Sequence, residues 1–299
     1  MVPGHPALAL DAASAQPDGV DRVLLAVDWS GHAEEAVRVT ADLAAGLGAE
    51  VRVMHVLEAP LTASVYSRED LERRHLESAE AASELVERTV ARLRERGVGA
   101  SGCVLSGNGT TASQILAEAR ETEADLLVIG ALGASRWREL LVGGVAHAVV
   151  QLAPCPVLVV PGRAARGDLR RMVVGVDGSA GAARAVELAA ELAGRLCAQV
   201  MVVHASDGSL AEHEPDAVAA AAAAVVGRER VAAVRVRAAG DSGVADALRS
   251  EAVEFAAGML VVGRRGRSPL QRLLLGGVSE RLLHISPCPL LVVPPDARG

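Results

Sequence analysis

VLLAVDWSGHAEEAV, running from Val23 to Val37, returns later in the chain as MVVGVDGSAGAARAV, from Met172 to Val186. Asp28 falls on Asp177, an offset of 149 residues, and His55 in VRVMHV falls on His204 in VMVVHA at the same offset. Further on, DLLVIGALG (Asp125 to Gly133) matches GMLVVGRRG (Gly258 to Gly266), and APCPVLVVP matches SPCPLLVVP, now at an offset of 133. Several blocks in one order define an internal repeat, which decides the architecture before any single element is considered. The change of offset means that the second copy has lost about one helix-length of sequence between its second and third strands.

Each copy alternates short β-branched runs with helical patterns. In the first, Arg22–Val27, Val51–Leu57, Ser101–Leu105, Leu126–Gly130 and Val157–Val160 read as strands. Most are continuously apolar, as strands buried on both faces should be. Ala33–Leu47, Glu69–Arg96, Thr110–Thr122 and Val145–Leu152 read as helices. In Glu69–Arg96 the apolar residues Ala79, Ala82, Val86, Val90 and Leu93 recur at helical spacing between charges. The second copy repeats the pattern with a shorter second helix, within Glu214–Glu229. Strand–helix alternation implies parallel pairing through right-handed crossovers, hence two tandem doubly wound α/β sheets. The expected units are an extension over 1–19, a first domain over 20–161, a Gly- and Arg-rich linker over 162–169, and a second domain over 170–295.

Composition narrows the chemistry. Of 299 residues, 51% are apolar and only 1% aromatic, so the cores must be aliphatic and a base-stacking RNA surface is disfavoured. A net charge of -7 argues against a chain-wide nucleic-acid surface. All 30 basic residues are Arg. No P-loop, kinase-type or Schiff-base lysine is available, so an anion must be held by Arg, backbone N–H groups or hydroxyls. The cysteines Cys103, Cys155, Cys197 and Cys288 form no CxxC pair and read as small buried hydrophobes in a reducing cytoplasm. No apolar run approaches a membrane span, and the first residues do not read as a signal peptide.

The loop after the fourth strand carries the functional signal. The first copy has Gly130 and Gly133, nine intervening residues, then Gly143 and Gly144; the second has Gly263 and Gly266, nine residues, then Gly276 and Gly277. Glycines there let backbone approach a ligand closely. The second pair opens a helix whose free N–H groups favour a phosphate chain. Asp28 and Asp177 end the first strands and serve either as ligand contacts or as turn and cap residues. His55 and His204 read as packed strand-end residues, since neither has a second metal ligand at useful spacing. Trp29 and Trp137 flank the first site only and read as local packing, with base stacking as the alternative. Arg264, Arg265, Arg267 and Arg272 read as solvated loop charge that could serve as phosphate counter-ions.

The spacing Gly-x-x-Gly, nine residues, Gly-Ser/Thr, together with the VD strand end and the closing PCPVLVV strand, resembles the universal stress protein family over nearly all of both copies. That resemblance implies an adenine-nucleotide α-hydrolase-like sheet of order 3-2-1-4-5 in each copy, with the ligand at the switch point beside strands one and four. It implies ATP, with or without Mg2+, as the ligand. The matching residues are Asp28, Val56, Gly130, Gly133, Gly143 and Gly144 in the first copy, and Asp177, Ala205, Gly263, Gly266, Gly276, Gly277 and Val278 in the second. Both copies depart from the family pattern where Gly144 and Gly277 replace the motif hydroxyl.

Ser279, with Ala146 at the matching place in the first copy, offers a phosphate-binding hydroxyl, and together with Arg264, Arg265 and Arg267 it predicts stronger binding in the second copy. The family also implies an edge-to-edge pair, here an intramolecular pseudo-dimer through the last strands, with a homodimer and a regulatory protein as further partners. No paired catalytic carboxylates, Ser/His/Asp arrangement or metal cluster stands out. The expectation is a cytoplasmic nucleotide-binding stress regulator with at most slow ATP hydrolysis; the alternative is a scaffold that has lost nucleotide binding.

Overall fold

The computed structural model describes residues 19–57, 68–107, 109–131, 144–162, 167–206, 215–239, 243–266 and 275–295. The first half runs β1 (Arg22–Ala26), α1 (Gly31–Leu47), β2 (Glu50–Leu57), α2 (Arg68–Glu95), β3 (Ala100–Ser106), α3 (Thr111–Glu121), β4 (Leu126–Gly130), α4 (Gly144–Leu152) and β5 (Val157–Val160). The second half repeats this as β6 (Asp168–Val176), α5 (Ala180–Leu196), β7 (Gln199–Ser206), α6 (Pro215–Val226), β8 (Val231–Ala238), α7 (Val244–Glu254), β9 (Ala257–Gly263), α8 (Gly277–Ile285) and β10 (Leu290–Val293). The shortening read from the offsets falls mainly on one helix: α2 has 28 residues and its counterpart α6 has 12.

All ten strands form one sheet in the order β3-β2-β1-β4-β5-β10-β9-β6-β7-β8. Each half has the order 3-2-1-4-5, with parallel pairing throughout. The halves join where β5 meets β10 antiparallel, Leu290 opposite Val159 and Val292 opposite Val157. Val-Leu-Val-Val on one strand and Leu-Leu-Val-Val on the other would otherwise be apolar edges; pairing them removes that liability.

Period-two alternation sends successive side chains to opposite faces. Val23 and Leu25 of β1 join a core beneath α1, α2, α5 and α6; Leu24 and Ala26 join a second core beneath α3, α4, α7 and α8. Both cores run through both halves, because Leu158 and Leu291 lie in the first and Val159 and Leu290 in the second. As the composition requires, the largest fully buried side chains are Leu and Met.

Further contacts tie the halves. Arg195 on α5 donates to the carbonyls of Val20 and Leu47, and Glu191 accepts from the Val20 N–H at 3.2 Å. Near the pseudo-twofold axis, His147 Nε2 of α4 lies 3.7 Å from a Glu280 carboxylate oxygen of α8. These two residues are each other's repeat counterparts, at the offset of 133.

The cysteine expectation holds for the Pro-Cys-Pro pair. Cys155 and Cys288 are buried, and burial pushes each thiol up to about 12. It fails for Cys197, which is exposed and caps α5 at φ 51°. The helix end requires a left-handed residue there, and no core lies over it.

Candidate functional site

In the second half, β6 delivers Asp177 to the carboxyl end of the sheet. Gly178 turns the chain at φ 75°, a left-handed conformation that favours glycine. Ser179 then caps α5, its hydroxyl oxygen accepting from the Ala182 N–H at 3.1 Å. Asp177 is not the cap. Its Oδ1 accepts from the Ser179 N–H at 2.9 Å, which fixes the turn and leaves Oδ2 facing the loop that follows β9. A Cβ added at Gly266 would lie 2.5 Å from that Oδ2, so the loop passes directly over the carboxylate.

The same loop is seated on the start of α5. A Cβ at Gly181 would stand 2.6 Å from the Arg265 carbonyl oxygen, and one at Gly263 would stand 2.5 Å from the Gly181 carbonyl carbon. Close backbone approach, rather than a ligand, accounts for Gly263. Gly276 closes the turn by donating its N–H to the Arg264 carbonyl at 3.0 Å and stands at the N-cap of α8. Gly277 and Val278 form the first turn, and a Cβ at Gly277 would meet none of the described residues within 4 Å. The helix therefore presents its amide end, with partial positive charge, next to Gly266 and Asp177. Ala205, at the end of β7, is buried.

Two expectations for this half are corrected. Ser279 does not offer its hydroxyl to the crevice. It is 3% exposed, and Oγ donates to the Gly263 carbonyl at 2.7 Å, fastening α8 to the end of β9. Arg264 does not face a phosphate. Its Nη1 donates to the Ala153 carbonyl of the first half at 2.8 Å, and burial, followed by the charge of Arg265, lowers its pKa. Arg267 and Arg272 lie outside the described residues.

The first half builds the same turn from different residues. Asp28 Oδ1 accepts from the Ser30 N–H at 3.0 Å and the Ser30 hydroxyl at 2.5 Å, and Ser30 caps α1. Trp29 stands where the second half has Gly178; it is 53% exposed, with its ring 4.4 Å from that of His55 at an interplanar angle of 69°. His55 is packed as expected, buried, with Nδ1 2.8 Å from the Val27 carbonyl. His32 stands where the second half has Gly181. Its ring lies against Gly162 and its backbone against Gly130, and Nδ1 is buried without a hydrogen bond. Burial holds the His32 pKa below its ordinary value, with the Asp28 charge pulling the other way. Val56 is buried at the end of β2, and Gly144 opens α4, where a Cβ would meet none of the described residues within 4 Å. Gly133, Gly143 and Trp137 lie outside the described residues.

Sequence reasoning passed over His32 and Gly181; their signal was available, since both stand two residues past the serine of the matched DxS turn, at the offset of 149. Among the described residues, no group of three or more His, Cys, Asp or Glu could hold a metal ion. No helix among them is long and apolar enough to cross a membrane.

A family model described as the universal stress protein family matches residues 19–161 and again 168–294. The chain belongs to that family. As a tandem universal stress protein it is similar along most of its length to the universal stress protein Rv2623 of Mycobacterium tuberculosis, with 27% identity over 291 residues, covering 90% of this chain and 91% of the relative. About one half of it is similar to the universal stress protein YxiE of Bacillus subtilis, 31% identical over 147 residues, 47% of this chain and 98% of the relative. The fold is shared with a universal stress protein structure from Archaeoglobus fulgidus, at TM-score 0.71 and 22% identity, covering 92% of this chain and 99% of that one.

Proposed function

We propose that this universal stress protein binds ATP or a related adenine nucleotide, with or without Mg2+ on the phosphates, and acts as a sensor or regulator rather than a fast enzyme. The observation that carries the reading is the contiguous arrangement of the amide end of α8 at Gly276 and Gly277, the loop residue Gly266 and the Asp177 carboxylate, at the point where β6 and β9 lie side by side. An amide end suits a phosphate group, and a carboxylate oxygen suits a sugar hydroxyl. Gly263, Gly266, Gly276, Gly277 and Val278 would take the phosphates, with Asp177 and the Ala205 backbone on the nucleoside. Asp28, Val56, Gly130, Gly133, Gly143 and Gly144 would do the same in the first half. Bound Mg2+ would neutralise phosphate charge.

The reading places two domains, 20–161 and 170–295, in a cytoplasmic protein whose nucleotide state is read by a regulatory protein, with homodimerisation as a further possibility for the assembled chain. A second reading, a scaffold without nucleotide, is favoured by one observation: Ser279 spends its hydroxyl on Gly263 while Gly277 supplies none. Denaturing the purified protein and identifying the released small molecules by chromatography, followed by calorimetric titration with ATP, separates the two. Copurified adenine nucleotide, or saturable ATP heat, supports the sensor; the absence of both supports the scaffold. Turnover faster than about 1 per second would overturn the sensor reading in favour of an enzyme.

A further inference from the structure

The two halves also differ at the amino ends of their strands, on the sheet face covered by α3 and α7. In the second half Phe255, the single phenylalanine of the chain, follows α7 and is buried. The Arg171 guanidinium carbon stands 4.5 Å from the centre of its ring. Met201 of β7 belongs to the same core, and Ala233 of β8 packs against it. The first-half counterparts are Thr122 for Phe255, Arg22 for Arg171 and Arg52 for Met201. A ring and a thioether there give way to one small side chain and one charged one. The first half has a cavity of about 410 Å³ at this place, lined among others by Arg22, Leu24, Arg52, Ser101, Thr122 and Ala124. Register explains the lining. Leu24, Arg52 and Ser101 lie in one row across β1, β2 and β3, and strand alternation puts Arg22 on the same face as Leu24. Leu24, fully buried, forms the apolar floor.

The arginines of the cavity already have charge partners. Arg22 donates to Glu123 at 2.9 Å and to Asp125 at 3.3 Å, and Arg52 donates to Glu118. In the second half Ala256 and Gly258 replace Glu123 and Asp125, and Arg171 takes the Phe255 ring instead. Hydrogen bonds to a guanidinium lie in its plane and leave its faces for a π system. An anionic ligand gains little here, because carboxylates occupy both guanidinium edges and the exposed Glu50 joins the lining. The Thr122 hydroxyl donates to the Glu118 carbonyl at 2.7 Å and so offers the cavity no free donor. Relative to the second half, charge is balanced and a ring is missing.

We infer that this cavity is a binding site for a small neutral aromatic molecule of the phenol class. Its ring takes the place that Phe255 fills in the second half, against the Arg22 guanidinium, and its hydroxyl donates to the Glu50 carboxylate. Size permits this, since an apolar cavity of roughly 150 Å³ already holds a benzene ring. The site lies where β1 begins, at the pole opposite the first crevice, and it stands independently of the nucleotide reading.

The test titrates the full chain, isotope-labelled for amide NMR and free of nucleotide, with phenol and separately with cyclohexanol, which keeps the size and hydroxyl but has no π face. The expected result is saturable shifts of the Gly99, Ser101 and Thr122 amides with phenol. Cyclohexanol should bind about threefold more weakly, the change that a cation–π contact at an exposed site supplies. Thr122→Phe installs the second-half residue, and it should abolish the phenol shifts and raise the melting temperature. Ser101→Leu, at an exposed position of β3, fills the cavity from its other side and should weaken phenol at least tenfold. It decides the matter if Thr122→Phe fails to fold. Phenol shifts that do not saturate, or that persist unchanged in the folded variants, would overturn the site. Equal affinity for cyclohexanol would overturn the aromatic assignment.

Discussion

Glu118 on α3 and Glu251 on α7 occupy the same place in the two halves, and both are buried, 5% and 2% exposed. In the first half the carboxylate is met by Arg52 of β2, Nε to Oε1 at 2.5 Å. In the second it is met by Arg237 of β8, the counterpart of β3, while Met201 stands where Arg52 would be. The buried charge has been kept and its partner has moved to the neighbouring strand, because leaving such a carboxylate unpaired costs far more than relocating an arginine. The crevices show the opposite behaviour. Trp29 against Gly178 and His32 against Gly181 change the shape of the two turns, and among the described residues no such relocated partner restores equivalence. Drift in the frame is compensated; drift at the mouths of the crevices is retained.

If the frames are equivalent, the two Pro-Cys-Pro thiols should behave alike. A thiol pushed from 9.0 to about 12 by burial stays protonated in the fold while the unfolded chain ionises. Its contribution is intact below pH 9 and is lost progressively as pH rises towards 12, by about 2–3 kcal/mol per thiol at pH 11. Denaturant titrations from pH 8 to 11 should show that fall, and Cys155→Ala and Cys288→Ala should each remove a similar share of the slope. A large slope from one thiol alone would break the equivalence.

The relocated arginine gives a sharper test. Arg237→Leu, which installs the first-half residue Leu105 at its β8 counterpart, should cost about 2 kcal/mol by stranding the Glu251 carboxylate. Adding Met201→Arg should recover most of it, since this recreates the Arg52 arrangement. Chemical denaturation of the single and double variants measures the recovery; a strictly additive double variant would mean that the two positions do not serve one carboxylate.

The smallest effect concerns the crevice. Gly181→His imports the first-half residue into a place where even a Cβ would approach the Arg265 carbonyl to 2.6 Å. The loop must lift from α5, and ATP affinity of the second half should fall about tenfold, roughly 1.4 kcal/mol, with overall stability lowered by a comparable amount. Calorimetry on Gly181→His beside the reciprocal His32→Gly decides whether this position sets the difference between the crevices. Unchanged affinity in both would remove it from consideration.

Much of the frame was legible because it repeats. Two offsets located the first, second, fourth and fifth strands of each copy, and apolar runs such as Val157–Val160 announced burial on both faces; β8, in no matched block, was not located this way. Pairing through the two last strands was expected from the family resemblance and the need to cover two apolar edges; its antiparallel sense came from the structure. The errors lie where sequence proximity was taken for side-chain direction. Ser279 is two residues past a loop glycine, yet its place in the first turn of α8 points the hydroxyl at the Gly263 carbonyl. Arg264 adjoins Gly263, yet the pseudo-twofold brings the Ala153 carbonyl within its reach. Neither direction is encoded locally. The buried ion pairs were missed although Glu118 and Glu251 repeat at the second offset on the apolar stripes of their helices, a signal that a charge there must be paired.

The antiparallel joint has a consequence for valency. Strands β1 to β5 run one way and β6 to β10 the other, so the carboxyl ends of the two halves, with their crevices, open at opposite poles of the continuous sheet. A protein reading one crevice would leave the other free for a second reader on the far side, making the chain a two-headed connector rather than a doubled binding face. Arg22, where β1 begins, and Val293, where β10 ends, stand at the same pole, that of the second crevice.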